Sequence, residues 1–414
     1  MNIRQVDPAG MITPLKLSSR ETPHAVLEPN YTCNRRCALC YNRYRDIVKP
    51  LATVRGEVNA LLAKRNLETI SILGGEPTLH PDLPEIVRYV KRLGVYCQIL
   101  TNGIVLAKED GGLLRELIDA GIDRIMIHVD TGQGLSEEEV ERMRERLAER
   151  LERAKVNFGM SFTLYEGRED EIAPLMKRYA RFRYFDGILA TIARYEGPQD
   201  VSGGRHGPDP LTVCSWIRTD LGVEPASYLP SNLDDDEARW LIYFYYLNAK
   251  NGKTVSLSPA YSRLMKGAYR AVTGRHLFGV PMNPALTPFW FLLTGAVEAL
   301  LSPHRFVRFL GLLSGAHGLR SLRFQYIVLQ SPPSFRQGEK SVEICYHCPD
   351  ATIRNGRLTP VCLADWISPP GHHVAEDPAD LRLAQAVYAH LEEEPLPETK
   401  FDERVVLVDE TLNA

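Results

Sequence analysis

The chain has 414 residues, of which 44% are hydrophobic and 24% are charged, and its formal net charge is -3. This length and composition predict a globular protein with one large α/β domain and a smaller second one. The slightly negative charge provides no general attraction for polyanions, so nucleic acid is not expected as a partner.

The N-terminal segment has no apolar run of signal-peptide length. We therefore expect a cytoplasmic protein, with residues 1–23 forming an extension before the first strand. In that reducing compartment, clustered cysteines are metal ligands or catalytic groups more often than disulfides.

Short β-rich runs alternate with helix-like segments between residues 24 and 197. The predicted strands are HAVLEPN, TISILGG, YCQILTNG, RIMIHVD, FGMSFTL and GILATIARY. Strands that alternate with helices predict βα units and a parallel sheet. Six such units form either an incomplete barrel or an open doubly wound sheet, and both bind ligands at the carboxyl ends of their strands.

The loops after the first three predicted strands all carry unusual residues. They contain Cys33-x3-Cys37-x2-Cys40, then Gly74-Gly75-Glu76-Pro77, then Thr101-Asn102-Gly103. Three thiolates placed so close together favour a thiophilic metal centre. Structural zinc takes four protein ligands, whereas three cysteines suit a cubane iron–sulfur cluster with one open iron.

The ordered combination of these three loops resembles the radical S-adenosylmethionine (SAM) enzymes over residues 24–195. The resemblance implies a partial (β/α)6 barrel in which the three cysteines hold a [4Fe-4S] cluster. It also implies that the open iron binds SAM. One electron, from a flavodoxin or ferredoxin-type donor, then gives a 5'-deoxyadenosyl radical that removes a hydrogen atom from the substrate.

Further residues are expected to contact SAM. The two glycines would let the backbone approach the cofactor, and Glu76 with neighbouring carbonyls would accept hydrogen bonds from the SAM amino group. The expected cofactor-binding residues are Gly74, Gly75, Glu76, Pro77, Asn102, Asp130 (ribose), Ser161 and Arg194 (methionine carboxylate). An ordinary turn with a helix-starting proline is the alternative for Gly74–Pro77, and Asp130 and Arg194 are alternatively solvated strand ends. Leu39 replaces the aromatic residue that more often lies beside the adenine.

The character of the chain changes after Tyr195. A Gly/Pro-rich loop at 196–210 marks a boundary or a cover over the site. Residues 198–344 are predicted to be a helical, substrate-covering region with helices at EARWLIYFYYLNAK, LTPFWFLLTGAVEALL and PHRFVRFLGLLSGA. The apolar run at 288–303 contains Glu298 and is shorter than the roughly 20 residues of a membrane span. It predicts a buried or interfacial helix, with peripheral membrane contact as an option and no transmembrane span.

A second cysteine group lies at Cys345-x2-Cys348-x13-Cys362. It resembles the auxiliary-cluster domains called SPASM or twitch, which predicts one auxiliary [4Fe-4S] cluster within residues 345–375, followed by a helix and tail at 376–414. Half of a zinc ribbon and unrelated buried cysteines are the alternatives. Cys214 is the candidate fourth ligand; otherwise the iron is open or takes His347 or a substrate atom. Cys97 is expected to be a buried core residue.

The substrate is less clearly encoded than the cofactors. The aromatic and apolar segments at 240–330 favour a lipid or isoprenoid-like substrate, although amphipathic core helices have the same pattern. A ribosomal peptide or protein is the alternative substrate. The non-enzymatic alternative is an iron–sulfur protein that only carries electrons, but such a protein would not need the motifs of the second and third loops. Candidate hydrogen donors or bases near the second cysteine group are Tyr346, His347, Asp350 and Asp365.

Overall fold

The computed structural model describes residues 1–37, 40–108, 112–129, 136–193, 207–301, 303–313, 318–336, 341–373, 387–388 and 390–391. The strands are β1 Thr13–Pro14, β2 His24–Asn30, β3 Thr69–Gly74, β4 Tyr96–Thr101, β5 Arg124–Val129, β6 Asn157–Leu164, β7 Phe185–Ile192, β8 Ser227–Pro230, β9 Ala238–Asn248, β10 Thr254–Ser256, β11 Leu322–Gln330, β12 Ser334–Arg336, β13 Ser341–Glu343, β14 Ala351–Arg354 and β15 Arg357–Pro360.

The α-helices connect these strands in chain order. They are α1 Ile3–Val6, α2 Leu51–Lys64, α3 Leu83–Arg92, α4 Gly112–Asp119, α5 Glu137–Ala154, α6 Ile172–Tyr179, α7 Pro210–Leu221, α8 Pro259–Thr273, α9 Thr287–Leu301, α10 Pro303–Leu312 and α11 Val361–Ile367. Short 3₁₀-helices occur at Pro77–Leu79, Pro284–Leu286 and Gly318–Ser321.

Strands β2 to β7 are parallel neighbours in chain order within an 11-stranded sheet. Each is joined to the next through a helix, α2 to α6. On β2, Ala25 and Leu27 belong to the main apolar core with residues of these helices. Side chains alternate along a strand, so His24, Val26 and Glu28 point to the opposite, inner face. This arrangement confirms the predicted α/β fold as a partial barrel of six parallel strands.

The sheet continues beyond β7 with strands from the C-terminal half. Strand β11 pairs parallel with β7, β9 pairs antiparallel with β11, and β8 joins β9. The helix predicted at EARWLIYFYYLNAK was wrong, because residues 238–248 form strand β9. Both faces of β9 are buried, so its apolar run has no alternation, and its aromatic and β-branched residues favour a strand. The region 198–344 therefore supplies strands as well as helices.

Helices α8, α9 and α10 cover one part of this sheet through a second apolar core. Its members include Tyr246 of β9, Phe291 of α9 and Phe309 of α10. The helices predicted around residues 287–301 and 303–312 are confirmed. Among the described residues, one helical stretch, Pro284–Leu301, is long and apolar enough to cross a membrane by length and composition, and 28% of it is buried.

Lys266 of α8 gives a pH-dependent prediction. Its ammonium donates to Ser227 Oγ at 2.9 Å, and burial lowers its pKa to about 8. An unfolded lysine has a pKa of about 10.4, so between these values the unfolded chain binds more protons and stability rises with pH. We expect Lys266→Met to flatten that rise in thermal unfolding measured at several pH values. Lys250→Met, at an exposed position, is the control and should retain the rise of stability with pH. If Lys266→Met shows the same rise as the wild type, the lowered pKa of Lys266 is not its cause.

Candidate functional site

The first cysteine group lies in the loop that leaves the carboxyl end of β2. Cys33, Cys37 and Cys40 are all partly exposed. The backbone N–H of Arg35 donates to Cys33 Sγ at 3.4 Å. Asn34 Oδ1 accepts a 2.7 Å hydrogen bond from Asn102 Nδ2, which ties this loop to the end of β4. Three accessible thiols on a loop held in this way match the three protein ligands of a cubane with one open iron.

The glycines after β3 are required by the neighbouring chain segment. Gly74 has φ +117°, and a Cβ there would lie 2.4 Å from the carbonyl oxygen of Asn30. A Cβ on Gly75 would lie 2.2 Å from the carbonyl oxygen of Thr32. The backbone N–H of Gly75 donates to Asn30 O at 2.8 Å. The structure therefore shows a close approach of both glycines to the segment that enters the cysteine loop, while their approach to a cofactor stays a prediction.

The carboxylate of Glu76 joins the loops after β3 and β4. It is 2% exposed. Its Oε1 accepts from the hydroxyls of Thr78 at 2.5 Å and Thr101 at 2.6 Å, and its Oε2 accepts from the backbone N–H of Asn102 at 2.7 Å. Pro77 begins a 3₁₀-helix that Glu76 caps. These contacts assign the Glu76 side chain to positioning the loops; contact with an amino group of SAM remains a prediction.

Gly75→Ala should therefore disrupt the first cysteine loop. The added methyl group would meet backbone atoms of Tyr31 and Thr32, which move only if the loop moves. We expect a large loss of iron bound at the first cluster and a lower midpoint of thermal unfolding. Gly56→Ala in α2 is the matched control, since nothing lies within 4 Å of its new Cβ, and it should stabilise the helix by about 0.5–1 kcal/mol. Normal iron content in Gly75→Ala would show that the close approach is dispensable.

The remaining expected cofactor residues are only partly described. Ser161 of β6 lies opposite His128 of β5 and Leu189 of β7, and it is half-buried on the inner face. Thr163 is two residues further along the same face. The positions of three residues from the sequence analysis lie outside the described part: Leu39, Asp130 and Arg194.

The second cysteine group also comes together. Cys348 lies within hydrogen-bond reach of Cys345 and close to Cys362, and these neighbours, with burial, raise its pKa well above the usual value. Trp240 Nε1–H donates to Cys345 Sγ at 3.1 Å. Hydrogen bonds to cluster sulfurs tune iron–sulfur potentials, so this donor set fits an auxiliary cluster.

Cys214, the predicted fourth ligand, lies on α7. Its Sγ is 3.8 Å from Met1 Sδ, and its thiol contacts Tyr243 of β9. Burial raises the pKa of Cys214 to about 11. Cys345, Cys348 and Cys362 are thus near one another, whereas Cys214 contacts Met1 and Tyr243. Ligation of the auxiliary cluster by Cys214 remains a prediction.

The two cysteine groups lie at opposite ends of β2. Cys33 follows the carboxyl end of this strand by three residues. At its amino end, the 2%-exposed Arg65 donates both to His24 O at 2.6 Å and to Cys348 O at 2.8 Å. The six steps from His24 to Asn30 span about 20 Å at 3.3 Å per residue. The inner face of the barrel therefore extends between the two groups.

A buried charge network, which the sequence analysis missed, connects the second cysteine motif with β2. Arg354 of β14 donates to Glu28 Oε2 at 2.8 Å and to Asp365 Oδ1 at 3.0 Å. Asp365 Oδ2 also accepts from the backbone N–H of Arg43 at 2.7 Å. Asp365, a candidate base in the sequence analysis, is thus held in structural contacts. No local pattern predicts this network, because Glu28 and Arg354 are 326 residues apart.

Asp350 lies between β2 and β11, where it contacts Gln330 Nε2 at 3.0 Å and His24 Nε2 at 3.6 Å. Burial raises the pKa of Asp350 to about 6 and lowers the pKa of His24 to about 3, with Arg65 and Arg124 adding to the latter. At neutral pH, Asp350 is therefore charged and His24 is neutral, so their contact is not an ion pair. An acid–base role for Asp350 stays a prediction.

Two other candidate donors, Tyr346 and His347, lie between Cys345 and Cys348 in the sequence. The rings of Tyr346 and His347 contact each other with centroids 4.6 Å apart. His347 stacks on His390, and its backbone N–H donates to that ring at 3.2 Å. Roles for both residues also remain predictions.

Comparison with known proteins identifies the domain around the first cysteine group. The profile of the Radical SAM superfamily matches residues 27–165. A probable GTP 3',8-cyclase of Methanococcus aeolicus is 34% identical over 122 residues, which are 28% of this chain and 40% of the relative. The Fe-coproporphyrin III synthase of Methanosarcina barkeri is 31% identical over 121 residues, 28% of this chain and 29% of the relative. The chain thus spans less than half the length of these relatives.

Among solved structures, Streptococcus suis SuiB bound to S-adenosylmethionine is similar, with 17% identity and a TM-score of 0.37 over 44% of this chain and 43% of SuiB. The match of residues 27–165 includes the first cysteine group, the Gly74–Pro77 loop and the Asn102 loop. The superfamily uses a [4Fe-4S] cluster and SAM, and the three cysteines of the first loop fit that cluster. Residues 27–165 are therefore a domain of the radical SAM superfamily.

Proposed function

We propose that this protein is a radical SAM enzyme whose substrate binds on the inner face of the partial barrel, between its two cysteine groups. Cys33, Cys37 and Cys40 would hold the cluster that binds SAM, and Cys345, Cys348 and Cys362 would hold an auxiliary cluster. When bound, the first cluster and SAM supply the radical that removes a hydrogen atom from a C–H bond.

The separation of the cysteine groups by the length of β2 carries this proposal. A substrate on the inner face would have one group at each end, so the auxiliary cluster would assist through substrate binding or electron transfer. Arg65 places a buried positive charge beside Cys348, and Trp240 donates to Cys345. Both contacts compensate the negative charge that a thiolate-ligated cluster would bring to this end of the barrel.

For the substrate, we propose an apolar molecule such as a lipid or isoprenoid. The support is the apolar surface of α9 and α10, where Phe289 is 58% exposed and Leu300 is 87% exposed. Contiguous exposed apolar surface is typical of sites that bind partners, ligands or membranes. An enzyme that meets its substrate at a lipid surface would have a reason to carry such helices.

A polar substrate, including a nucleotide or a peptide, is the second candidate. Gln98 Nε2 donates to Ser71 Oγ at 2.6 Å, and Thr191 Oγ1 donates to Gln330 Oε1 at 2.8 Å, all on the inner face. These groups could exchange hydrogen bonds with a polar ligand. The names of the relatives also include enzymes of nucleotides, such as the GTP 3',8-cyclases.

Mass spectrometry of small molecules that co-purify with the anaerobically expressed protein separates these candidates. We expect a lipid or isoprenoid, and its addition to the reduced enzyme with SAM should increase 5'-deoxyadenosine and produce a changed lipid. A bound nucleotide or peptide that is converted instead would replace the substrate proposal. Absence of 5'-deoxyadenosine after reduction with dithionite would contradict the enzyme proposal itself.

A further inference from the structure

Helices α9 and α10 expose an unusual amount of apolar surface. Nine of the sixteen large hydrophobic side chains that are exposed among the described residues lie on these helices or at the end of the 3₁₀-helix just before α9. They are Leu286, Phe289, Leu292, Leu293, Leu300, Leu301, Phe306, Val307 and Leu310. Isolated exposed apolar side chains are normal on soluble proteins, whereas this concentration over two consecutive helices marks an interaction surface. We refer to residues 286–310 as the apolar hairpin.

The charge around the apolar hairpin differs from that of the whole chain. Residues 250–330 contain ten lysines and arginines and a single acidic residue, Glu298, although the chain as a whole has a net charge of -3. Arg263 of α8, Arg308 of α10 and Arg320 are exposed. Basic residues beside exposed apolar side chains are the pattern of helices that bind anionic lipid surfaces.

The single acidic residue of this region is turned inward. Glu298 is 0% exposed, and its Oε1 accepts a 2.7 Å hydrogen bond from the backbone N–H of Ser258, at the start of α8. The carboxylate is therefore removed from the exposed side of the apolar hairpin. This placement avoids repulsion between the hairpin and negatively charged lipid headgroups.

The packing of α9 favours a position in the plane of the membrane surface over a span. The stretch Pro284–Leu301 has the length and composition of a span, but its α-helical part α9 has 15 residues and reaches about 22 Å at 1.5 Å per residue, less than the roughly 30 Å of a hydrocarbon core. Phe291 on its inner side packs against Phe309, with ring centroids 5.4 Å apart, and against Tyr246 at 5.1 Å. A span would pull these rings out of the second core.

We propose that the apolar hairpin docks the protein on the surface of an anionic bilayer, with its exposed side chains in the headgroup and upper acyl region. The exposed arginines would lie near the lipid phosphates. The link from docking to an apolar substrate rests on the proposed function, whereas docking itself is measured without turnover.

Vesicle flotation of the full chain tests this inference. We expect flotation with vesicles of phosphatidylcholine and phosphatidylglycerol, and much less with phosphatidylcholine alone. Leu300→Glu with Val307→Glu should weaken binding by about tenfold or more, because two exposed apolar side chains become anionic. Arg308→Glu should weaken binding to the anionic vesicles and make the remaining binding less sensitive to salt. Met11→Glu is the matched control, since Met11 is 59% exposed away from the hairpin and should bind like the wild type.

Three outcomes would overturn the proposal. The first is no flotation with anionic vesicles, and the second is equal flotation with neutral ones. The third is a dimer in sedimentation velocity that the double variant disrupts while vesicles remain unbound, which would make a second copy the partner. Formation of 5'-deoxyadenosine by the same preparations, without vesicles, reports on the proposed chemistry separately.

Discussion

Replacing Cys37 with alanine is expected to reduce 5'-deoxyadenosine formation to the background of the protein-free reaction. Cys37 is the central thiol of the first group, and its loss leaves two protein ligands for a cluster that takes three. The measurement is chromatographic detection of 5'-deoxyadenosine after anaerobic reduction with SAM present. Iron content should fall in the same variant.

Cys97→Ala is the matched control for that variant. Cys97 is a fully buried thiol on β4 that belongs to the main apolar core. Its replacement should cost about 1 kcal/mol of stability through the lost packing and leave formation of 5'-deoxyadenosine intact. If Cys37→Ala still forms 5'-deoxyadenosine above background, the assignment of the first cysteine group is wrong.

Cys348→Ala is expected to lower the iron content by about four atoms per chain while the first cluster stays loaded. The thiol that is removed lies within hydrogen-bond reach of Cys345 and within electrostatic range of Cys362, so the whole ligand set should fail. Iron and sulfide analysis gives the count. Electron paramagnetic resonance of the reduced protein should show the signal of the first cluster alone.

Cys214→Ala provides the informative comparison. If Cys214 is the fourth ligand, its removal should also lower the iron content or change the spectrum of the auxiliary cluster. If it is only packed against Met1 and Tyr243, the spectrum should be unchanged. An unchanged iron count in Cys348→Ala would refute the auxiliary cluster.

The six strands of the partial barrel were predicted correctly because each is a short β-rich run between helices, and this is local information. Strand β9 was missed for a tertiary reason. Its residues are buried on both faces, by the helix layer and by the second core, so the alternation that identifies a half-exposed strand is absent.

For the loop residues too, the sequence indicated which residues matter and the tertiary structure showed why. The composition of Gly74–Pro77 marked the loop, but the need for glycine comes from Asn30 O and Thr32 O, which only the pairing of β2 and β3 brings close. Likewise, Glu76 was selected by its motif, and the structure gives it partners on Thr78 and Thr101.

The sequence by itself identified the radical SAM domain and predicted cluster ligation by the first cysteine group, because thiol spacing within eight residues and the order of three loops are local properties of the chain. Only the tertiary structure decided that the second cysteine group lies at the far end of β2. It also paired Glu28 with Arg354, and it placed an apolar hairpin on the surface with its single carboxylate turned inward. These features depend on contacts between residues far apart in the chain, and such contacts form only when the sheet assembles.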